Sequence, residues 1–135
     1  IHPPIDQYII QSTSPDAKVL VWGGQAGINF MSDRASISAY VFYPMLANST
    51  LGKQFQEKFY NELKLRPPKL IIDANMHAPD QLPSLDMEIY RSQRILYPLA
   101  DNLQDLLDYV HKNYIFITEV QGYSIYLRNM QIISP

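Results

Sequence analysis

The stretch Val19-Leu20-Val21-Trp22-Gly23-Gly24-Gln25-Ala26-Gly27-Ile28-Asn29-Phe30 reads as a buried strand that breaks through a glycine turn into a helix. An apolar run bounded by Asp16-Ala17-Lys18 and Gly23-Gly24 suits a strand covered on both faces, as in a parallel sheet with helices above and below. Glycine directly after the strand permits a tight turn or a close backbone approach. A phosphate-binding turn of the dinucleotide type is one reading. However, Gly23, Gly24 and Gly27 give G-G-x-x-G rather than G-x-G-x-x-G, and no acidic residue closes the next strand, Tyr40-Val41-Phe42-Tyr43. The simpler account is a glycine turn needed only for packing.

A chain of 135 residues that is 47% hydrophobic and 18% charged has enough apolar material for one compact α/β domain over residues 1–135. With no cysteine, disulfides, thiolate metal sites and a cysteine nucleophile are excluded. The formal charge of −2 is spread evenly and no Lys/Arg cluster is interleaved with aromatics, so the footprint of nucleic-acid binding is missing. Nothing approaches the ~20 apolar residues of a membrane span. The start at Ile1-His2-Pro3, without an initiator Met, suggests a soluble fragment of a longer protein.

Taken in order, Pro3-Pro4 followed by Ile5, Tyr8, Ile9 and Ser12 predicts a short amphipathic helix ended by Ser14-Pro15-Asp16. Gln25 to Met31 predicts a second helix, stopped around Ser32-Asp33, with Arg34 at the entry to a strand over Ile37 to Tyr43. Leu51, Phe55, Phe59 and Leu63 recur at four-residue spacing after the capping residues Asn48 and Ser49. Pro67-Pro68 blocks continuation, so this helix is expected to lay that stripe on the sheet. Lys69 to Asp73 forms a third strand, and Ala74 to Pro83 is the longest irregular stretch. Ser84 to Tyr97 allows a helix without demanding one. Asp101 and Gln104 form a capping box for a helix running to Asn113, and Tyr114 to Glu119 with Tyr123 to Arg128 form a hairpin around Val120-Gln121-Gly122. The order predicts a three-layer α/β sandwich with a mostly parallel, Rossmann-like sheet and an antiparallel hairpin at its edge.

Chemistry is sparser than fold. There is no G-x-S-x-G nucleophile elbow, and His2, His77 and His111 are scattered without metal-ligand spacing, so no metal and no cofactor is expected. Asp73-Ala74-Asn75 follows a strand as a metal-holding carboxylate pair would. The second carboxylate is an amide here, however, and one carboxylate binds a cation poorly.

Three segments together resemble a family: Val19-Leu20-Val21-Trp22-Gly23, then Ile28-Asn29-Phe30-Met31-Ser32-Asp33-Arg34, then Tyr40 to Pro44-Met45-Leu46. They are similar to the soluble region after the last membrane span of bacterial polytopic, C-type glycosyltransferases, the enzymes related to protein mannosyltransferases and aminoarabinose transferases. The long helix, Pro67-Pro68-Lys69 leading to a strand ending at Asp73, and the closing helix, Tyr114 and hairpin extend the resemblance over nearly the whole chain. One departure is that Ser36-Ile37-Ser38 stands where the family pattern has Pro-Thr-Arg.

The resemblance implies a parent enzyme in the cell membrane that transfers a sugar from a polyprenyl-phosphate donor, with this domain on the extracytoplasmic side. The catalytic carboxylate of that family lies in a loop between early spans, outside this chain, so no residue here is carried over as catalytic. The domain would cap the membrane-embedded part of the same polypeptide or help select a glycan or lipid-linked acceptor, and the isolated chain is expected to be monomeric. Two alternatives remain: a free-standing small α/β nucleotide- or sugar-binding protein, and an envelope protein-interaction module.

If a ligand binds, strand carboxyl ends are where open α/β sheets collect it. That rim is expected to carry Trp22, Gly24, Gln25, Asn29, Asp73 and Asn75, with Arg34 nearby. An indole beside amides and a carboxylate suits a sugar ring, and glycine amides at a helix start suit a phosphate. The competing expectation has Trp22 as a core anchor and Arg34 paired with Asp33 or a backbone carbonyl.

Overall fold

The computed structural model describes residues 3–23, 27–37, 48–77, 83–92 and 103–129. In chain order these form α1 (Ile5–Ser12), β1 (Val19–Trp22), α2 (Gly27–Ser32), α3 (Thr50–Leu65), β2 (Leu70–Asp73), a 3-10 turn (Asn75–His77), α4 (Met87–Ser92), α5 (Leu103–Asn113), β3 (Tyr114–Val120) and β4 (Tyr123–Arg128). Among the described residues the fold is α/β, with five α-helices about a four-stranded mixed sheet in the order β1-β2-β4-β3.

Local chemistry accounts for the element ends. Ser49 caps α3 by accepting from the Gly52 amide at 3.0 Å, and Pro67-Pro68 follow its last turn. Asp33, at φ 53, takes the left-handed conformation that ends α2, with the Arg34 amide returning to the Asn29 carbonyl. In the β3–β4 hairpin the turn is Gln121-Gly122, at φ 52 and 82. Positive φ at both central residues matches the right-handed twist of the strands.

β1 and β2 run parallel, with Trp22 opposite Asp73 at their carboxyl ends. β4 docks antiparallel on the other side of β2, and β3 is outermost among the described strands. Among the described strands the sheet is therefore not mostly parallel, since only β1 and β2 pair that way. The closing hairpin adds two antiparallel ladders, and the expected strand over Ile37 to Tyr43 lies outside the described residues from position 38 onward.

Because side chains alternate along a strand, β1 and β2 feed two cores. Leu20, Trp22, Ile71 and Tyr126 pack with Phe59 and Leu63 of α3 and Leu103, Leu106, Leu107 and Val110 of α5. Val19, Val21, Leu70, Ile72 and Ile125 pack with Ile5 and Ile9 of α1 and Ile28 of α2.

α3 is rotated from the expected stripe. Gly52, Gln56, Phe59 and Leu63 face inward, while Leu51 and Phe55 are 61% and 40% exposed. Phe59 and Leu63 belong to both stripes. The apolar pattern by itself left the rotation undecided between adjacent settings.

Candidate functional site

The strands bring Trp22, Asp73 and Asn75 to one rim, as the parallel register requires. Gly24 and Gln25 lie outside the described residues. Asn29 and Arg34 are at the opposite end of β1, which corrects the expected cluster. α2 runs back along the strand, so the Asn29 Nδ2 donates to the carbonyl of Val19, the first residue of β1, at 2.8 Å and to that of Arg34 at 2.9 Å. A helix entered from the carboxyl end of a strand returns its later turns to the amino end, so residues after its first turn leave the rim.

Arg34 is 6% exposed and its guanidinium is consumed by one hydroxyl and four carbonyls of its own chain. Nε donates to Thr13 Oγ1 at 2.8 Å, Nη1 to the Ser32 and Asp33 carbonyls at 3.2 Å each, and Nη2 to the Ile10 and Thr13 carbonyls at 3.3 and 3.1 Å. These acceptors close the carboxyl ends of α1 and α2, where helices leave carbonyls unpaired and concentrate partial negative charge. A planar five-donor fork can serve both ends at once.

At the true rim, polar groups are equally committed. Trp22 is 1% exposed and its Nε1 donates to the Pro83 carbonyl at 2.9 Å. Asp73 Oδ1 accepts from the Asn75 amide at 2.9 Å; Oδ2 accepts from the Leu85 amide at 2.9 Å and from Ser84 Oγ at 3.4 Å. Burial raises the Asp73 carboxyl above its ordinary range, and the hydrogen bonds from Leu85, Asn75 and Ser84 pull it back down. From α5, His111 Nε2 donates to the Leu85 carbonyl at 2.7 Å; a carbonyl can only accept, so this nitrogen carries the proton. The non-repetitive segment Pro83-Ser84-Leu85 is thus buried and held by side chains in place of a ladder. Gly23, at φ 133, permits the close pass of β1 over Ala74, where an added Cβ would stand 3.0 Å from the Ala74 Cβ.

Of the rim expected to bind a ligand, Trp22 and Asp73 are therefore scaffold, and Arg34 binds carbonyls of its own chain. Among the described residues no group of three or more His, Asp or Glu is placed to hold a metal ion.

A groove is found elsewhere, between α3 and α5. Its volume is about 350 Å³ and it is lined by Tyr60, Asp105, Asp108, Tyr109 and Lys112. The Tyr60 and Tyr109 rings meet edge to face, 5.7 Å apart at 68°, and Lys64 Nζ lies 4.2 Å from the Tyr60 ring centroid. None of these residues stands out in the sequence. Yet positions 105, 108, 109 and 112 are one face of a helix, a second stripe beside the apolar one, and that spacing is the signal that would have located them.

Neither a protein-family description, nor a curated protein, nor a solved structure matches this chain.

Proposed function

We propose that this chain is the non-catalytic extracytoplasmic domain of a polytopic membrane glycosyltransferase that moves a sugar from a polyprenyl-phosphate donor, and that it caps the membrane-embedded part or helps select the acceptor. The observation that carries the reading is the use made of the residues behind the resemblance. Trp22 and Gly23, Asn29, Ser32-Asp33-Arg34, Asp73 and Tyr114 each join one element to another: Tyr114, for instance, donates its hydroxyl to the Pro68 carbonyl at 2.7 Å. A pattern made of scaffold residues is what a supporting domain would share with its family, whereas a catalytic domain would share reacting groups. The finer fold reading belongs with it: a three-layer, Rossmann-like sandwich, supported by separate apolar cores formed with α1 and α2 and with α3 and α5.

The coding sequence upstream of Ile1 tests the proposal. A run of membrane spans there, and a full-length product that loses acceptor use but keeps donor binding when this domain is removed, is expected. A reading frame opening next to Ile1, with no spans on either side, would overturn it.

The interaction-module reading has its own observation. Ile115, Phe116 and Ile117 of β3, outermost among the described strands, are exposed, and a contiguous apolar edge suits a protein partner. Substituting Phe116 with Glu should abolish copurification with an envelope partner if that reading holds, and leave it unchanged if not.

A further inference from the structure

We infer that the groove between α3 and α5 is a carbohydrate-binding site that takes a neutral pyranose unit of a glycan. Its position is separate from the strand rim, and the inference stands whether or not the parent is a membrane enzyme.

The argument begins with charge. Asp105 and Asp108 bring two carboxylates to the groove and Lys112 an ammonium group, while Lys64 on the Tyr60 ring and Arg128 near Tyr109 add positive charge at its border. An anionic ligand would meet the aspartates and a cationic one the lysines. A neutral polyol is opposed by neither, and its hydroxyls can donate to the carboxylates and accept from the Lys112 ammonium. Asp108 already accepts from Gln104 Nε2 at 2.8 Å on Oδ1, a contact within α5 that fixes the carboxylate's orientation.

The tyrosines supply the other half of sugar recognition. A pyranose is polar around its rim and presents C–H groups on its faces, and an aromatic ring against such a face buries apolar surface without requiring a charged group. Tyr60 and Tyr109 are half-buried and line the groove; the Lys64 ammonium, 4.2 Å from the Tyr60 ring centroid, takes one face of that ring, so Tyr109 is the ring offered to a sugar face. Their edge-to-face contact fixes the two rings relative to each other, which lowers the ordering that a ligand must impose. The volume of about 350 Å³ lies at the small end of ligand pockets, ~300–1,000 Å³, and suits one or two sugar rings better than a nucleotide cofactor.

Amide NMR titration of the 135-residue chain with a panel of methyl α- and β-glycosides of glucose, galactose and mannose tests the inference. At least one glycoside should shift the amides around Tyr60 and along Asp105 to Lys112 with millimolar affinity. Tyr109→Ala should weaken that binding roughly tenfold, as loss of one aromatic contact implies. Asp105→Asn/Asp108→Asn, on exposed helix positions, should weaken it as well while leaving the remaining spectrum unchanged, so the test survives if Tyr109→Ala fails to fold. Tetramethylammonium and inorganic phosphate serve as charged probes. The inference is overturned if no glycoside shifts these amides at millimolar concentration, if the shifts fall elsewhere, if either charged probe binds the groove more tightly than every glycoside, or if the carboxylate variant binds unchanged.

Discussion

Replacing Arg34 with Ala removes the most heavily bonded side chain described here. Five hydrogen bonds leave from one guanidinium, at 2.8 to 3.3 Å, to Thr13 Oγ1 and to the carbonyls of Ile10, Thr13, Ser32 and Asp33. Hydrogen bonds to a charged group are worth about 1.5–3 kcal/mol each when one partner is removed from a buried site. Several of these are long, and most of the acceptors are only partly buried, so water entering the gap would satisfy some of them. About 1 kcal/mol per bond is the better figure. Losing the positive charge at two helix carboxyl ends adds ~0.3–1 kcal/mol for each. The expected total is about 6 kcal/mol. For 135 residues, at ~2.1 cal/mol/K of unfolding entropy per residue, this corresponds to a fall in Tm of roughly 20–25 °C. Urea denaturation followed by far-UV circular dichroism measures the first quantity and calorimetry the second. Arg34→Lys separates fork geometry from charge: one ammonium keeps the charge but cannot span both helix ends, so it should recover less than half of the loss. A loss below about 1 kcal/mol for Arg34→Ala, or full recovery by Arg34→Lys, would refute the reasoning.

The raised carboxyl of Asp73 gives a pH signature of definite sign. Its folded pKa lies above the unfolded value, so its contribution is fully present below the unfolded value of 3.8 and is lost as pH rises through the folded pKa. The stability difference between the native chain and Asp73→Asn should therefore move against the native chain as pH rises through that window; a flat difference in denaturation midpoints from pH 3 to 7 would count against a buried, desolvated carboxylate. Gly23→Ala should cost about 1–3 kcal/mol by urea denaturation, since it combines φ 133 with a 3.0 Å approach to the Ala74 Cβ. Trp22 is the single tryptophan and is buried, so native fluorescence should be blue-shifted and shielded from acrylamide. Trp22→Phe should lose about 1–3 kcal/mol through the unpaired Pro83 carbonyl and the smaller ring, and unchanged stability would show that the hydrogen bond to Pro83 contributes nothing.

The sequence by itself determined what depends on a few neighbouring residues. Ser49 before a helical stripe, Pro67-Pro68 after it, the short apolar runs of β1 and β2, and Gly122 in the hairpin turn all act within about a turn of the chain. The elements therefore lie where those residues put them. Tertiary structure alone decided which face α3 buries, that β4 rather than another strand covers the free side of β2, and what the polar residues are for. Trp22 reaches a carbonyl 61 residues away, Asp73 an amide 12 residues on, and Arg34 carbonyls 21 and 24 residues back. A donor or carboxylate needs a partner once it leaves water, but its identity is the same whether that partner is a ligand or the chain's own backbone. Only the folded path of the chain brings one of them within hydrogen-bonding distance.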